Sequence, residues 1–186
     1  RNLPLSVTKR FTFNEEGNDI YLEIQARDNS GNMRITDYSA HFTIDKTAPV
    51  ANVTFREDSD EDLYYNADRI ADITIKERNF DAKRMTAAIT NTFGDIPSIT
   101  YTKKSVDEYT ATIVFDEGDY TFDYSGTDRG DHQAKVTLAG GNEKKFYVDK
   151  TKPVITDNFA TFVNVPTKNN FNTNKVARIT VEEHNF

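Results

Sequence analysis

Thirty Asp and Glu residues, three His and no Cys set the chemistry open to this chain. The densest acidic stretch is Glu57, Asp58, Asp60, Glu61 and Asp62, lying between two predicted strands. Calcium prefers several carboxylate oxygens, so Asp58, Asp60 and Asp62 are the candidate calcium ligands. Their spacing is not that of an EF-hand, and no glycine enforces a tight turn. The plainer reading is a solvated, self-repelling loop. No other cofactor is expected. Asp116, Glu117 and Asp119 form a second acidic group, which reads as an ordinary hairpin. Arg129-Gly130-Asp131 spells an integrin-type tripeptide, but the equivalent turn earlier in the chain is Asn29-Ser30-Gly31-Asn32, so the match reads as coincidence.

The three histidines, His41, His132 and His184, share no ligand spacing. No HExxH, GxSxG, P-loop or GxGxxG motif occurs. Without cysteine there is no disulfide scaffold, thiolate metal site or cysteine nucleophile. The expectation is therefore no catalytic residue and no enzyme. Tyr38, Tyr101 and Tyr147 could stack on sugar rings, although the absence of Trp and ordinary hairpin packing weigh against it.

These residues must be carried by a framework, and composition limits it. Of 186 residues, 37% are hydrophobic and 28% charged, lean for a packed globule, yet 13 Phe and 9 Tyr are too many for a disordered chain. The net charge of −7 argues against a nucleic-acid partner or an anionic membrane surface. No apolar run approaches the roughly 18 residues of a membrane span, and none near Arg1 resembles a leader.

The chain also repeats itself. Phe42–Val50 (FTIDKTAPV) returns as Phe146–Val154 (FYVDKTKPV). Tyr65–Phe80 (YNADRIADITIKERNF) returns as Phe171–Phe186 (FNTNKVARITVEEHNF), and Ile20–Asn32 returns as Tyr120–His132. The period of about one hundred residues is that of one domain. Residues 49–152 are then one complete copy, 1–48 the last half of a copy, and 153–186 the first third, so the chain is expected to be a window on a longer array. Its second Asp turn, Thr127–His132, looks looser than the first.

Alternation of period two predicts β-structure throughout. Ile20, Leu22, Ile24 and Ala26 oppose Tyr21, Glu23 and Gln25. Ala71, Ile73 and Ile75 share a face, as do Tyr109, Ala111, Ile113 and Phe115, and Tyr120, Phe122 and Tyr124. Turn-forming Gly, Asp and Asn separate the runs. In the complete copy, strands are expected near 51–56, 69–77, 85–91, 98–102, 108–115, 119–127, 133–138 and 144–148. Residues 80–88 fit either a short helical turn or a strand. Regular spacing of this kind suggests a sandwich.

The recurring DKTAPV and DKTKPV strings are predicted joints. Pro49 and Pro153 suit the first residue of a strand, having no N–H for a ladder. Asp45 and Asp149 can close an Asx turn on the local backbone. Glu77, Asn79 and Phe80 recur as Glu183, Asn185 and Phe186, which reads as a shared turn with Asn in the left-handed region and Phe plugging the sandwich end. With no Gly/Ser stretch, the joints are expected to be short and stiff.

IDKTAPV at a joint, ARDNSGN closing a strand, and YYNADRIADITIKERNFD together resemble the tandem immunoglobulin-like domains of bacterial cell-surface proteins. The resemblance spans the whole chain. It implies an all-β, immunoglobulin-like sandwich array that is secreted and wall-attached in Gram-positive bacteria, and it implies a stalk or spacer role with neighbouring repeats as partners. Two alternatives follow from the same resemblance: adhesion to a host protein or glycan through loop tips, and accessory domains of a secreted hydrolase. The two partial copies also raise the prospect of complementation between molecules.

Overall fold

The computed structural model describes residues 6–56, 63–139, 144–158 and 172–185, with the side chains of 37–39 left aside. The described residues are all-β, with no α-helix. Thirteen strands run in chain order among these residues: β1 (Gly17–Arg27), β2 (Met33–Ile44), β3 (Val50–Phe55), β4 (Tyr64–Tyr65), β5 (Arg69–Lys76), β6 (Met85–Asn91), β7 (Thr102–Lys103), β8 (Glu108–Phe115), β9 (Gly118–Gly126), β10 (Lys135–Ala139), β11 (Lys145–Val148), β12 (Val154–Asp157) and β13 (Ile179–Glu182). The ambiguous stretch resolves into both readings. Ala82–Arg84 is one turn of 3-10 helix, started by Asp81 accepting a hydrogen bond from Lys83 N, and β6 follows at once. The strand expected at 98–102 contributes only its end, as β7.

Two sheets form the central sandwich, one ordered β10-β3-β5-β8-β7 and the other β4-β11-β9-β6. The β10–β3 and β11–β4 pairs are parallel, and the remaining ladders in both sheets are antiparallel. Alternation explains why the sheets face each other. Ala51, Val53 and Phe55 of β3 point inward, with Ala71, Ile73 and Ile75 of β5, and Ala111, Ile113 and Phe115 of β8. Tyr120, Phe122 and Tyr124 of β9 meet them from the other sheet, with Phe146 and Val148 of β11. Phe55, Phe115, Phe122 and Phe146 interlock edge to face, with centroids 5.0–5.8 Å apart in the T-shaped pairs.

The inward face of β5 begins with a charge. Arg69 is fully buried on the same side as Ala71. Its guanidinium carbon lies 4.0, 4.3 and 4.5 Å from the ring centres of Phe55, Tyr65 and Phe146. Stacking on aromatic faces suits a weakly hydrated, planar cation.

Outside this sandwich lie two hairpin-like pairs, β1–β2 and β12–β13. Their alternation is present but their apolar faces stay open. Ile24 is 36% exposed and Ile155 67%, because no second sheet lies across either pair among the described residues.

Candidate functional site

Among the described residues, the two joints carry a repeated set of polar contacts. At the first, the chain leaves β2, passes Asp45-Lys46-Thr47-Ala48-Pro49 and enters β3. Asp45 Oδ1 accepts from Thr47 N at 3.3 Å, closing an Asx turn, and Asp45 Oδ2 accepts from Asn79 Nδ2 at 2.6 Å. Glu16, just before β1, accepts from Lys46 N at 2.6 Å and from the Thr47 hydroxyl at 2.8 Å. Glu77 Oε1 accepts from Asn79 N at 2.6 Å and orients that asparagine toward Asp45. Pro49 is buried at the mouth of β3, and its carbonyl accepts from Lys135 N.

The second joint repeats this set. Asp149 Oδ1 accepts from Thr151 N at 3.0 Å, and its Oδ2 from Asn185 Nδ2 at 3.0 Å. Glu117 accepts from Lys150 N at 3.1 Å and from the Thr151 hydroxyl at 3.0 Å. Glu183 Oε1 accepts from Asn185 N at 3.3 Å. Pro153 precedes β12 but stays exposed. Lys150 adds ion pairs to Asp68, at 2.6 Å, and to Asp116. His184 stacks on Phe93 with centroids 4.3 Å apart and reaches Asp119 at 3.3 Å. Asp116, Glu117 and Asp119 are thus joint residues as well as hairpin residues.

The electrostatics follow the contacts. The Asn185 amide holds the Asp149 carboxyl below its usual range, and the Thr47 hydroxyl and Lys46 N–H do the same for Glu16. Lys150 lowers Asp116 and is itself raised by it. Glu77 is the exception. Only 5% exposed, it is pushed upward, first by burial and then by the nearby carboxylates of Asp45 and Asp128.

Beside the first joint sits the Asp128 turn. The Asp28 turn has the same form: Asp28 N donates to Asn32 O at 3.0 Å and Asp128 N to His132 O at 3.2 Å. The left-handed residue is Gly31 (φ 91°) in one and Asp131 (φ 65°) in the other. Asp28 binds the Asn32 amide at 2.7 Å, where Asp128 binds His132 Nδ1 at 2.9 Å. The change from RDNSGN to TDRGDH therefore leaves the turn intact, correcting the looser turn expected. Within the RGD sequence, Arg84 pairs with Asp131 at 2.5 Å, and Arg129 Nε lies 3.7 Å from Asp81.

Asp45, Asp128 and His132 bring potential metal-ligand atoms within 4.8 Å of one another. Both Asp128 oxygens are engaged by His132, through its backbone N–H at 3.0 Å and its ring Nδ1. A carboxylate aimed at a ring N–H stabilises an imidazolium, and it raises the affinity of His132 for its proton. The Asp128 carboxylate is thus directed at His132. The calcium candidates Asp58, Asp60 and Asp62 lie outside the described residues.

Asn79 has no left-handed backbone; its contribution is the bond across the joint. Phe80 does pack at the sandwich end, stacked on Tyr109 at 4.2 Å. Tyr101 is half-buried, with its hydroxyl 2.7 Å from that of Tyr124, and Tyr147 stacks on Tyr64. His41 stacks on Tyr21 and pairs with Asp19 at 2.6 Å. Glu16 and Glu117 were legible only as turn residues. Their recurrence before Gly17 and Gly118 was the available signal of a role at the joint.

No family model matches this chain, and neither does any curated protein or solved structure.

Proposed function

We propose that this chain is a non-catalytic stalk or spacer segment of a secreted bacterial surface protein, built from immunoglobulin-like sandwiches in tandem. The observation that carries the reading is the duplicated joint. Asp45–Asn79 and Asp149–Asn185 are the same bond in successive places, and so are the Glu16 and Glu117 clasps on Lys-Thr. A flexible tether between independent binding modules would have no use for side chains locking each linker to the elements on both sides. A spacer does, because its reach depends on limiting the bend at every junction. The acidic surface favours solubility of an extended array.

The absence of native cysteine makes the test clean. Spin labels at Arg34→Cys and Lys104→Cys straddle the first joint. The expected result is one narrow distance distribution that broadens on Asn79→Ala. A broad wild-type distribution, or one that N79A leaves unchanged, contradicts a locked joint.

A further inference from the structure

Among the described residues, the central sandwich has one long edge that its sequence leaves unguarded. Strand β6 ends its sheet, paired with β9 on one side and with no strand on the other. At the two ends of that ladder Arg84 O accepts from Thr127 N, and Thr92 N donates to Asp119 O. Antiparallel pairing alternates its bonds, so the even-numbered residues of β6 turn their N–H and C=O groups to β9. Those of Ala87, Ile89 and Asn91 face outward, with no backbone partner among the described residues.

Exposed edges are normally blunted by lysine, proline, a bulge or extreme shortness. The other described edges of these two sheets follow that rule: β4 and β7 are two residues long, and β10 opens with Lys135. Strand β6 has seven residues and an unbroken register with β9. From Met85 to Gly94 there is no charged residue, no His and no Pro, in a chain that is 28% charged. Thr86, Ala88 and Thr90 are exposed on its outer face, while Ala87 and Ile89 pack half-buried against the core. Phe93 and Ile96, next in the chain, are exposed too.

From this we infer that two copies of this chain pair their β6 strands antiparallel across a twofold axis, joining two four-stranded sheets into one of eight. The occupant is a second copy because the edge matches itself. An axis at Ala88, the middle of the strand, pairs all seven residues. Ala87 then exchanges hydrogen bonds with Ile89 of the second copy, Thr86 stands beside Thr90, and Ala88 meets Ala88. Paired threonines are a favourable cross-strand match, and the added ladder supplies main-chain bonds. Each copy carries a net charge of −7, so two copies repel wherever like charges meet, and the uncharged run is where they can approach. A twofold contact uses the same patch on both copies, so assembly closes at two. The inference uses neither the stalk reading nor its joints. Monomeric behaviour would leave the spin-label result untouched, and a loose joint would leave this pairing untouched.

Sedimentation of the 186-residue chain from about 1 µM to about 1 mM tests it. Wild type is expected to pass from 21.2 kDa to twice that mass and to stop there. Ala88 bonds to β9, so across the axis the two copies of it form a non-hydrogen-bonded pair, the closest kind, where like charges repel directly. Ala88→Lys and Ala88→Glu are each expected to stay monomeric, and an equimolar mixture of the two to recover the dimer as opposite charges meet. Ala88 is exposed, so thermal melts that match dilute wild type show that both variants fold. A wild type that stays at 21.2 kDa across the range overturns the inference. So does a dimer that both variants retain, or a mixture that stays monomeric.

Discussion

Arg69 shows how much one residue can decide in this molecule. A cation on the inward face of β5 is held between Phe55, Tyr65 and Phe146, three rings drawn from three strands. Truncation would remove the stacking and leave a void in a close-packed interior. Arg69→Ala is expected to lower unfolding stability by about 3 kcal/mol, and Arg69→Lys by roughly half as much, since an ammonium keeps the charge but not the planar stack. Urea unfolding followed by tyrosine fluorescence measures both, and a loss below about 1 kcal/mol for R69A contradicts the cage. The alternation Ala71, Ile73, Ile75 was plain in the sequence, and Arg69 stands in phase with it. Its charge hid it, and no local pattern links it to Phe146, which only the β9–β11 pairing brings near.

At the scale of the element, the Asp turns make a pH prediction. His132 takes the place that Asn32 holds in the earlier turn, and both side chains donate to the turn aspartate. Asp128, with Asp45 and Glu77 farther off, raises the folded-state pKa of His132 above its ordinary value near 6.5. A raised histidine contributes stability that is fully present below that ordinary value. The contribution is lost as pH rises through the folded-state value. Calorimetry across that window should show Tm falling in wild type, and a shallower slope in His132→Asn, which restores the amide of the first turn. Equal slopes would contradict the prediction. The carboxylates at the joints act in the opposite direction. Asp149 and Asp116 are depressed, so their contribution is present above about 3.8 and is lost only as pH falls below it.

The elements also show what the sequence can and cannot convey. Strands β3, β5, β6, β8 and β9 follow from alternation and β-branched composition, and their bounds fall within a residue or so of expectation. The pairing of β10 with β3 in parallel, after the chain crosses from one sheet to the other at the Asp128 turn, does not follow. Periodicity assigns a face to each strand but gives it no neighbour. The joints were legible as Pro-bearing, Asx-closed linkers. The Asn79 and Glu16 contacts that lock the first of them were not, because their joint partners lie 34 and 30 residues away in the chain at closest.

For the whole molecule, the central claim is that the joints are held rather than hinged. Each of the two is tied by its aspartate to an asparagine in the turn after β5 or β13 and clasped by a glutamate just before β1 or β9. A single surface hydrogen bond contributes little, but several converging on one short linker restrict the same few dihedrals together. Relaxation of backbone ¹⁵N nuclei measures this directly, by comparing rotational correlation times for amides of β2 with those of β5 at a dilution where the chain is monomeric. One shared, anisotropic tumbling time is the predicted result. A distinctly shorter time for β2 would mean that the flanking pair swings freely about Asp45–Pro49, and it would contradict the account.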